Sequence, residues 1–116
     1  MVKPTKSTDT IKVLIVEDNA LFALEVEMLI FNLGYEVLKV VNNSEDALAT
    51  IAFNPPDLII MDVDIEGNLN GIEVAEKISH RQIPVLFVTS MRDKNLYEKA
   101  KETSLCAHGR RNLSFL

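Results

Sequence analysis

Short β-branched runs alternate along this chain with segments whose apolar residues recur at helical spacing. Residues 11–16 (IKVLIV) predict a first strand that is covered on both faces, because only Lys12 interrupts the apolar run. A helix is predicted next, since Asn19 can cap its start and Gly34 can end it in the left-handed conformation. Its helical spacing is carried by four apolar residues, Leu21, Leu24, Met28 and Phe31.

The same alternation continues through most of the chain. Further strands are predicted at residues 36–41, 58–61 and 85–89, and further helices at about residues 44–53, 71–80 and 93–102. Ser44 is the predicted cap of the second helix, which Asn54-Pro55-Pro56 ends. Strands that alternate with helices of this length predict parallel βαβ units with right-handed crossovers. The fold class is therefore α/β with an open parallel sheet.

The two ends of the chain fit this pattern less well. Residues 1–10 are polar and are predicted to form a disordered leader before one domain at residues 11–116. A fifth strand is expected near the C-terminal end, but residues 108–112 (HGRRN) interrupt the apolar run there. Only residues 113–116 have the composition of a strand, so the fifth strand is the element that the sequence specifies least clearly.

Composition and charge narrow the class of protein. A chain of 116 residues suits one domain, and its net charge of −5 gives no electrostatic basis for binding nucleic acid directly. The single cysteine, Cys106, excludes an intrachain disulfide and a multi-cysteine zinc site, which suits a reducing cytoplasm. The chain has no apolar run long enough to span a bilayer. These features predict a cytoplasmic protein that does not insert into a membrane.

Polar residues follow three of the predicted strands directly. Glu17 and Asp18 come after the first strand, Asp62 after the third, and Thr89 lies at the end of the fourth. In open α/β sheets the ligand site lies beyond the carboxyl ends of the strands, so these side chains are expected to converge. Carboxylates brought together repel one another unless they take up protons or a cation neutralises them. Mg²⁺ is the expected ion, because it prefers carboxylates, water and phosphate oxygens.

This cluster suits transfer of a phosphoryl group to a carboxylate. Asp62 is the predicted nucleophile and would form an aspartyl phosphate. Glu17 and Asp18 are predicted to bind the metal with Asp62, and the backbone carbonyl of Asp64 is a further predicted ligand. Thr89 is predicted to donate a hydrogen bond to a phosphoryl oxygen.

Four runs of sequence make the pattern more specific. They are VLIVEDN at residues 13–19, PDLIIMDVDI at 56–65, NGIEVAEKI at 70–78 and IPVLFVTS at 83–90. In order and spacing the chain resembles a response-regulator receiver domain of two-component signalling over residues 11–107. The resemblance implies a doubly wound, flavodoxin-like sheet of order 2-1-3-4-5. It also implies Mg²⁺-dependent phosphorylation of Asp62 by a histidine kinase or phosphotransfer protein, which switches an output protein or domain without enzymatic turnover.

The C-terminal end departs from the family pattern. Receiver domains carry a switching aromatic residue before a Lys-Pro pair, and in register these positions fall on His108, Arg111 and Asn112. Arg111 is therefore a candidate to replace the lysine, although a guanidinium is not equivalent to an ammonium. The family's final helix is expected to be missing. The apolar face this would expose is expected to be covered by a partner, by a second copy, or by exchange of segments between chains.

Two alternatives remain open from the sequence. Asp62-Val63-Asp64 resembles the Asp-x-Asp pair of haloacid-dehalogenase-type phosphatases, although that pair lies on the first strand in those enzymes. The other alternative is a receiver-like interaction module that no longer accepts a phosphoryl group, because the expected lysine is absent.

Overall fold

Parallel strands form one sheet in the computed structural model, which describes residues 10–88 and 113–115. The strands are β1 (Lys12–Val16), β2 (Glu36–Val41), β3 (Leu58–Asp62), β4 (Val85–Val88) and β5 (Leu113–Phe115). The helices are α1 (Ala20–Asn32), α2 (Ser44–Phe53) and α3 (Gly71–Lys77), and a 3-10 turn (Ser79–Arg81) follows α3. The order β2-β1-β3-β4-β5, with every pairing parallel, confirms the predicted sheet.

Strand β1 is buried because helices cover both faces of the sheet. Successive side chains of a strand point to opposite faces. Leu14 and Val16 belong to a core that α2 and α3 cover, whereas Val13 and Ile15 pack with Ile30 of α1. The continuous apolar run of residues 11–16 is therefore explained by two hydrophobic layers.

Helix α1 begins and ends as predicted, but its apolar stripe does not face the sheet. The Asn19 side chain accepts a hydrogen bond from the N–H of Phe22 at 2.9 Å, and Gly34 follows the helix with a φ of +87°. The residues that α1 buries fully are Ala23 and Ile30. The side chains that gave the helical spacing are exposed: Leu21, Leu24, Met28 and Phe31. Spacing predicts a helix, but it does not determine which of several apolar stripes is buried.

Two predicted helix boundaries were wrong. The cap of α2 is Asn43, whose side chain accepts from the N–H of Asp46 at 2.8 Å. Ser44 is instead the first helical residue, because its hydroxyl is bound to another loop. The helix predicted at residues 71–80 ends at Lys77 and tightens into the 3-10 turn. Gln82, with a φ of +57°, then turns the chain toward β4.

Several predictions concern parts of the chain outside the described residues. These are the leader apart from Thr10, the helix at residues 93–102, and the residues Thr89, Cys106, His108, Arg111 and Asn112. Near the C-terminal end, β5 pairs in parallel with β4 and coincides with the predicted strand at residues 113–116. Within the described residues, no helix is both long enough and apolar enough to cross a membrane.

Candidate functional site

Three acidic residues meet at the carboxyl end of the sheet. Glu17 and Asp18 follow β1 directly, and Asp62 is the last residue of β3. β1 and β3 are neighbours, with Val16 paired to Met61, so both strands end at the same level. One ligand atom from each of the three acidic side chains lies within 4.8 Å of the others. The convergence expected from the sequence is therefore present for these three residues.

Burial gives this cluster unusual electrostatics. Only 7% of Glu17 and 5% of Asp62 is exposed, although carboxylates are rarely buried. Desolvation raises the pKa of Glu17 to about 7, and the nearby charge and hydrogen bond of Asp62 act in the same direction. The Asn19 backbone N–H opposes the rise by donating to Glu17 Oε2 at 2.9 Å. Without a cation, Glu17 therefore takes up a proton at a higher pH than an exposed carboxylate does.

Backbone groups hold the acidic side chains in place. The N–H of Glu17 donates to the carbonyl of Val41 at the end of β2, at 2.9 Å. The N–H of Asp64 donates to Asp62 Oδ1 at 3.2 Å. These two bonds orient the end of β1 and the Asp62 carboxylate. The backbone N–H of Asp64 therefore contacts the Asp62 carboxylate, and the Asp64 carbonyl stays a predicted metal ligand.

The start of α3 packs against the backbone of Asp62. The N–H of Gly71 donates to the carbonyl of Val63 at 2.8 Å, and a Cβ at this position would collide with the carbonyl oxygen of Asp62. Only glycine allows this approach. From the sequence, Gly71 was expected to be no more than a helix start. The signal for its role is its place directly after the loop that follows the acidic strand.

The donor set suits a hard divalent cation. Three carboxylates offer oxygen ligands in one small region, and two of them are buried. Burial is the main cause of the raised pKa of Glu17, and a cation would offset both this burial and the added repulsion from Asp62. The predicted partners of this cluster, Thr89 and Arg111, lie outside the described residues.

Comparison with known proteins identifies the family. The model of the response regulator receiver domain matches residues 13–107, which is most of the chain. This chain belongs to the response-regulator receiver domain family. Receiver domains of this family are signalling modules that do not turn over a substrate, in agreement with the expected absence of enzyme activity. They typically bind Mg²⁺ in an acidic pocket, and this receiver domain has such a cluster.

Named relatives support the same family. The receiver domain is 30% identical over 112 residues to the transcriptional regulatory protein PdtaR of Mycobacterium tuberculosis, covering 93% of this chain and 54% of PdtaR. It is 28% identical over 87 residues to the phyllosphere-induced regulator PhyR of Methylorubrum extorquens, covering 73% of this chain and 33% of PhyR. The chain thus spans about half of PdtaR and a smaller part of PhyR.

A solved structure shows the same fold. The signal receiver domain of a modulated diguanylate cyclase from Desulfovibrio desulfuricans G20 is 35% identical and superposes with a TM-score of 0.74. The superposition covers 81% of this chain and 75% of that chain. The family and the fold together exclude the haloacid-dehalogenase alternative, in which the Asp-x-Asp pair would lie on the first strand.

Proposed function

We propose that this receiver domain accepts a phosphoryl group on Asp62 in a Mg²⁺-dependent reaction, and that phosphorylation switches a partner or output domain. The observation that carries the proposal is the meeting of Asp62 with Glu17 and Asp18 at the end of β3. A carboxylate at this position, supported by two others, is suited to attack phosphorus and to share a cation with the phosphoryl group.

The residues of the chain have separate tasks in this reaction. An Asp62 oxygen forms a bond to phosphorus while the P–N bond of a donor phosphohistidine breaks, and the released imidazole nitrogen takes a proton from water. The Asp64 N–H keeps the attacking carboxylate oriented. Glu17 and Asp18 would bind Mg²⁺ with Asp62, and Glu17 would release its proton when the ion binds. When bound, the ion supplies neutralisation of charge on the carboxylates and phosphoryl oxygens.

Three further roles remain predictions from the sequence. Thr89 would donate to a phosphoryl oxygen, Arg111 would take the place of the family's lysine, and the carbonyl of Asp64 would complete the metal site. The expected setting is the cytoplasm, with a leader at residues 1–10 before the domain, and no direct contact with nucleic acid.

Partners are expected at exposed surfaces of the domain. A histidine kinase or phosphotransfer protein would approach Asp62, and an output protein or domain would respond. Leu24, Met28 and Phe31 of α1 expose apolar surface that a partner or a second copy could cover. A homodimer or an exchange of segments between chains remains the prediction for the C-terminal face of the domain.

The test is intact-mass spectrometry after incubation with Mg²⁺ and acetyl phosphate. We expect one added phosphoryl group in the wild type and none in Asp62→Asn. The control is Asp57→Asn, which changes a carboxylate just before β3 that accepts from the N–H of Lys12. A phosphoryl group added to Asp62→Asn would show that another residue is the acceptor. No addition to a folded wild type that binds Mg²⁺ would favour the receiver-like module that no longer accepts phosphate.

A further inference from the structure

The loop between β3 and α3 is bound at its tip by the first turn of α2. Ser44, which is 1% exposed, donates its N–H to the carbonyl of Glu66 at 2.9 Å, and its hydroxyl accepts from the N–H of Leu69 at 3.2 Å. The carboxylate of Glu45 accepts from the N–H of Asn68 at 2.9 Å. Three parts of the loop are thus bound to two adjacent residues of another element.

Gly67 is the position that makes this contact possible. Its φ of +105° is one that side-chain-bearing residues rarely adopt. A Cβ there would also collide with Glu45 Oε1 and Ser44 Oγ. Ser44, Glu45 and Gly67 therefore form a matched set, which we call the loop clamp. The bond from Asn68 also holds the pKa of Glu45 below its ordinary value, as expected for a charge-assisted hydrogen bond.

The clamped loop is fixed at its base by the acidic site itself. Gly71 donates to the carbonyl of Val63, and Asp64 donates to the carboxylate of Asp62. On the other side, α2 follows β2, whose last residue, Val41, accepts from the N–H of Glu17. Hydrogen bonds therefore connect Glu17 to the end of β2, and α2, which follows β2, to the loop. The base of the same loop is bonded to the residues beside Asp62.

We propose that Ser44 and Glu45 are positioning residues for the acidic site, because they hold the loop in the conformation that presents the backbone of Asp64 beside Asp62. They touch neither a cation nor a phosphoryl group; they set the affinity of the site for a divalent cation through the loop. The effect on cation affinity rests on the part of the proposed function in which the acidic cluster binds Mg²⁺, whereas a further effect on phosphoryl transfer also needs Asp62 to accept a phosphoryl group.

The decisive measurement is the dissociation constant for Mg²⁺ by isothermal titration calorimetry on the folded chain. Glu45→Ala removes the acceptor of the Asn68 N–H. We expect it to weaken Mg²⁺ binding several-fold, which is less than the roughly 10- to 100-fold loss for groups bonded directly to a metal ligand. Glu45→Gln keeps a carbonyl acceptor and should bind nearly as tightly as the wild type. A merely structural role would lower the free energy of unfolding and leave the affinity unchanged.

The matched control is Glu66→Gln, which removes one exposed charge from the same loop but leaves the backbone bonds of Glu66 in place. If Glu66→Gln weakens Mg²⁺ binding as much as Glu45→Ala does, the effect is one of net charge and the proposal is wrong. Gly67→Ala should reproduce the loss of affinity without any change of charge. Unchanged affinity in both Gly67→Ala and Glu45→Ala would also overturn the proposal.

Hydrogen exchange and phosphorylation assays distinguish the positioning role of Ser44 and Glu45 from the proposed phosphorylation of Asp62. In Glu45→Ala, the amides of Asp64 and Asn68 should exchange faster while those of β1 and β3 do not. A wild type that binds Mg²⁺ but takes no phosphoryl group from acetyl phosphate would refute the proposed function and leave the positioning role standing. Unchanged loop exchange together with unchanged affinity would refute the positioning role alone.

Discussion

Replacement of Glu17 by glutamine should stabilise the protein in the absence of metal. The glutamine side chain has the same shape, and its carbonyl can still accept from the N–H of Asn19. The substitution removes the charge that desolvation and Asp62 make unfavourable. We therefore expect the Glu17→Gln variant to have a higher free energy of unfolding than the wild type at about pH 8.

The raised pKa fixes the sign and the size of this effect. The folded state holds the Glu17 proton more tightly than the unfolded state, since the pKa rises from 4.5 to about 7. The stability that this proton contributes is complete below pH 4.5 and is lost as the pH rises to about 7. At about 1.4 kcal/mol for each pH unit the upper limit is about 3.5 kcal/mol. Because the proton is shared with Asp62 and the pocket contacts water, we expect on the order of 2 kcal/mol.

Urea denaturation followed by far-ultraviolet circular dichroism measures the effect. With a chelator present, Glu17→Gln should exceed the wild type by about 2 kcal/mol at about pH 8 and by about 0.5 kcal/mol near pH 5. The control is Glu25→Gln, an exposed position on α1, which should show no such dependence on pH. Added Mg²⁺ should stabilise the wild type and not the variant. A stability difference that is equal at both pH values would refute the reasoning.

Three smaller predictions follow from local contacts. Gly71→Ala should lower the free energy of unfolding by about 1–3 kcal/mol in urea denaturation, because the new Cβ would collide with the carbonyl of Asp62. Asn70→Ala should lower the free energy of unfolding by about 1 kcal/mol in the same assay. At the start of α3 the side chains of Asn70 and Glu73 each accept from the backbone N–H of the other residue. Phe53→Ser, at a side chain that is 89% exposed, should change stability by less than about 0.5 kcal/mol.

The parts of the fold that were predictable depend on local sequence or on the ends of strands. β1 and β3 are short apolar runs, and Glu17 and Asp62 lie at their carboxyl ends. Parallel strands that are neighbours bring such residues to one edge, so the acidic cluster follows once the order of the sheet is known. The order itself came from the resemblance to receiver domains, because alternation of strands and helices does not fix which strands are adjacent.

The unpredicted features depend on contacts between distant residues. Serine is a residue type that often caps helices. The hydroxyl of Ser44 instead accepts from the backbone N–H of Leu69, which is distant in sequence, and Asn43 is the cap. The sequence gives no sign that Gly67 differs from an ordinary loop glycine. A Cβ at this position would collide with the side chain of Glu45, which is distant in sequence. Likewise, packing against the sheet determines which side of α1 is buried, and the spacing of apolar residues in the helix does not specify that side.

The acidic site is held by backbone bonds, and this has a consequence for switching. Glu17 and Gly71 each donate a backbone N–H to a backbone carbonyl of the neighbouring strand or loop. Such bonds do not change when the side chains gain or lose charge. A cation or a phosphoryl group can therefore alter the electrostatics of Asp62 while the frame around it keeps its geometry. Burial and mutual repulsion of the carboxylates lower the stability of the metal-free fold, and relief of this unfavourable charge favours the uptake of a cation.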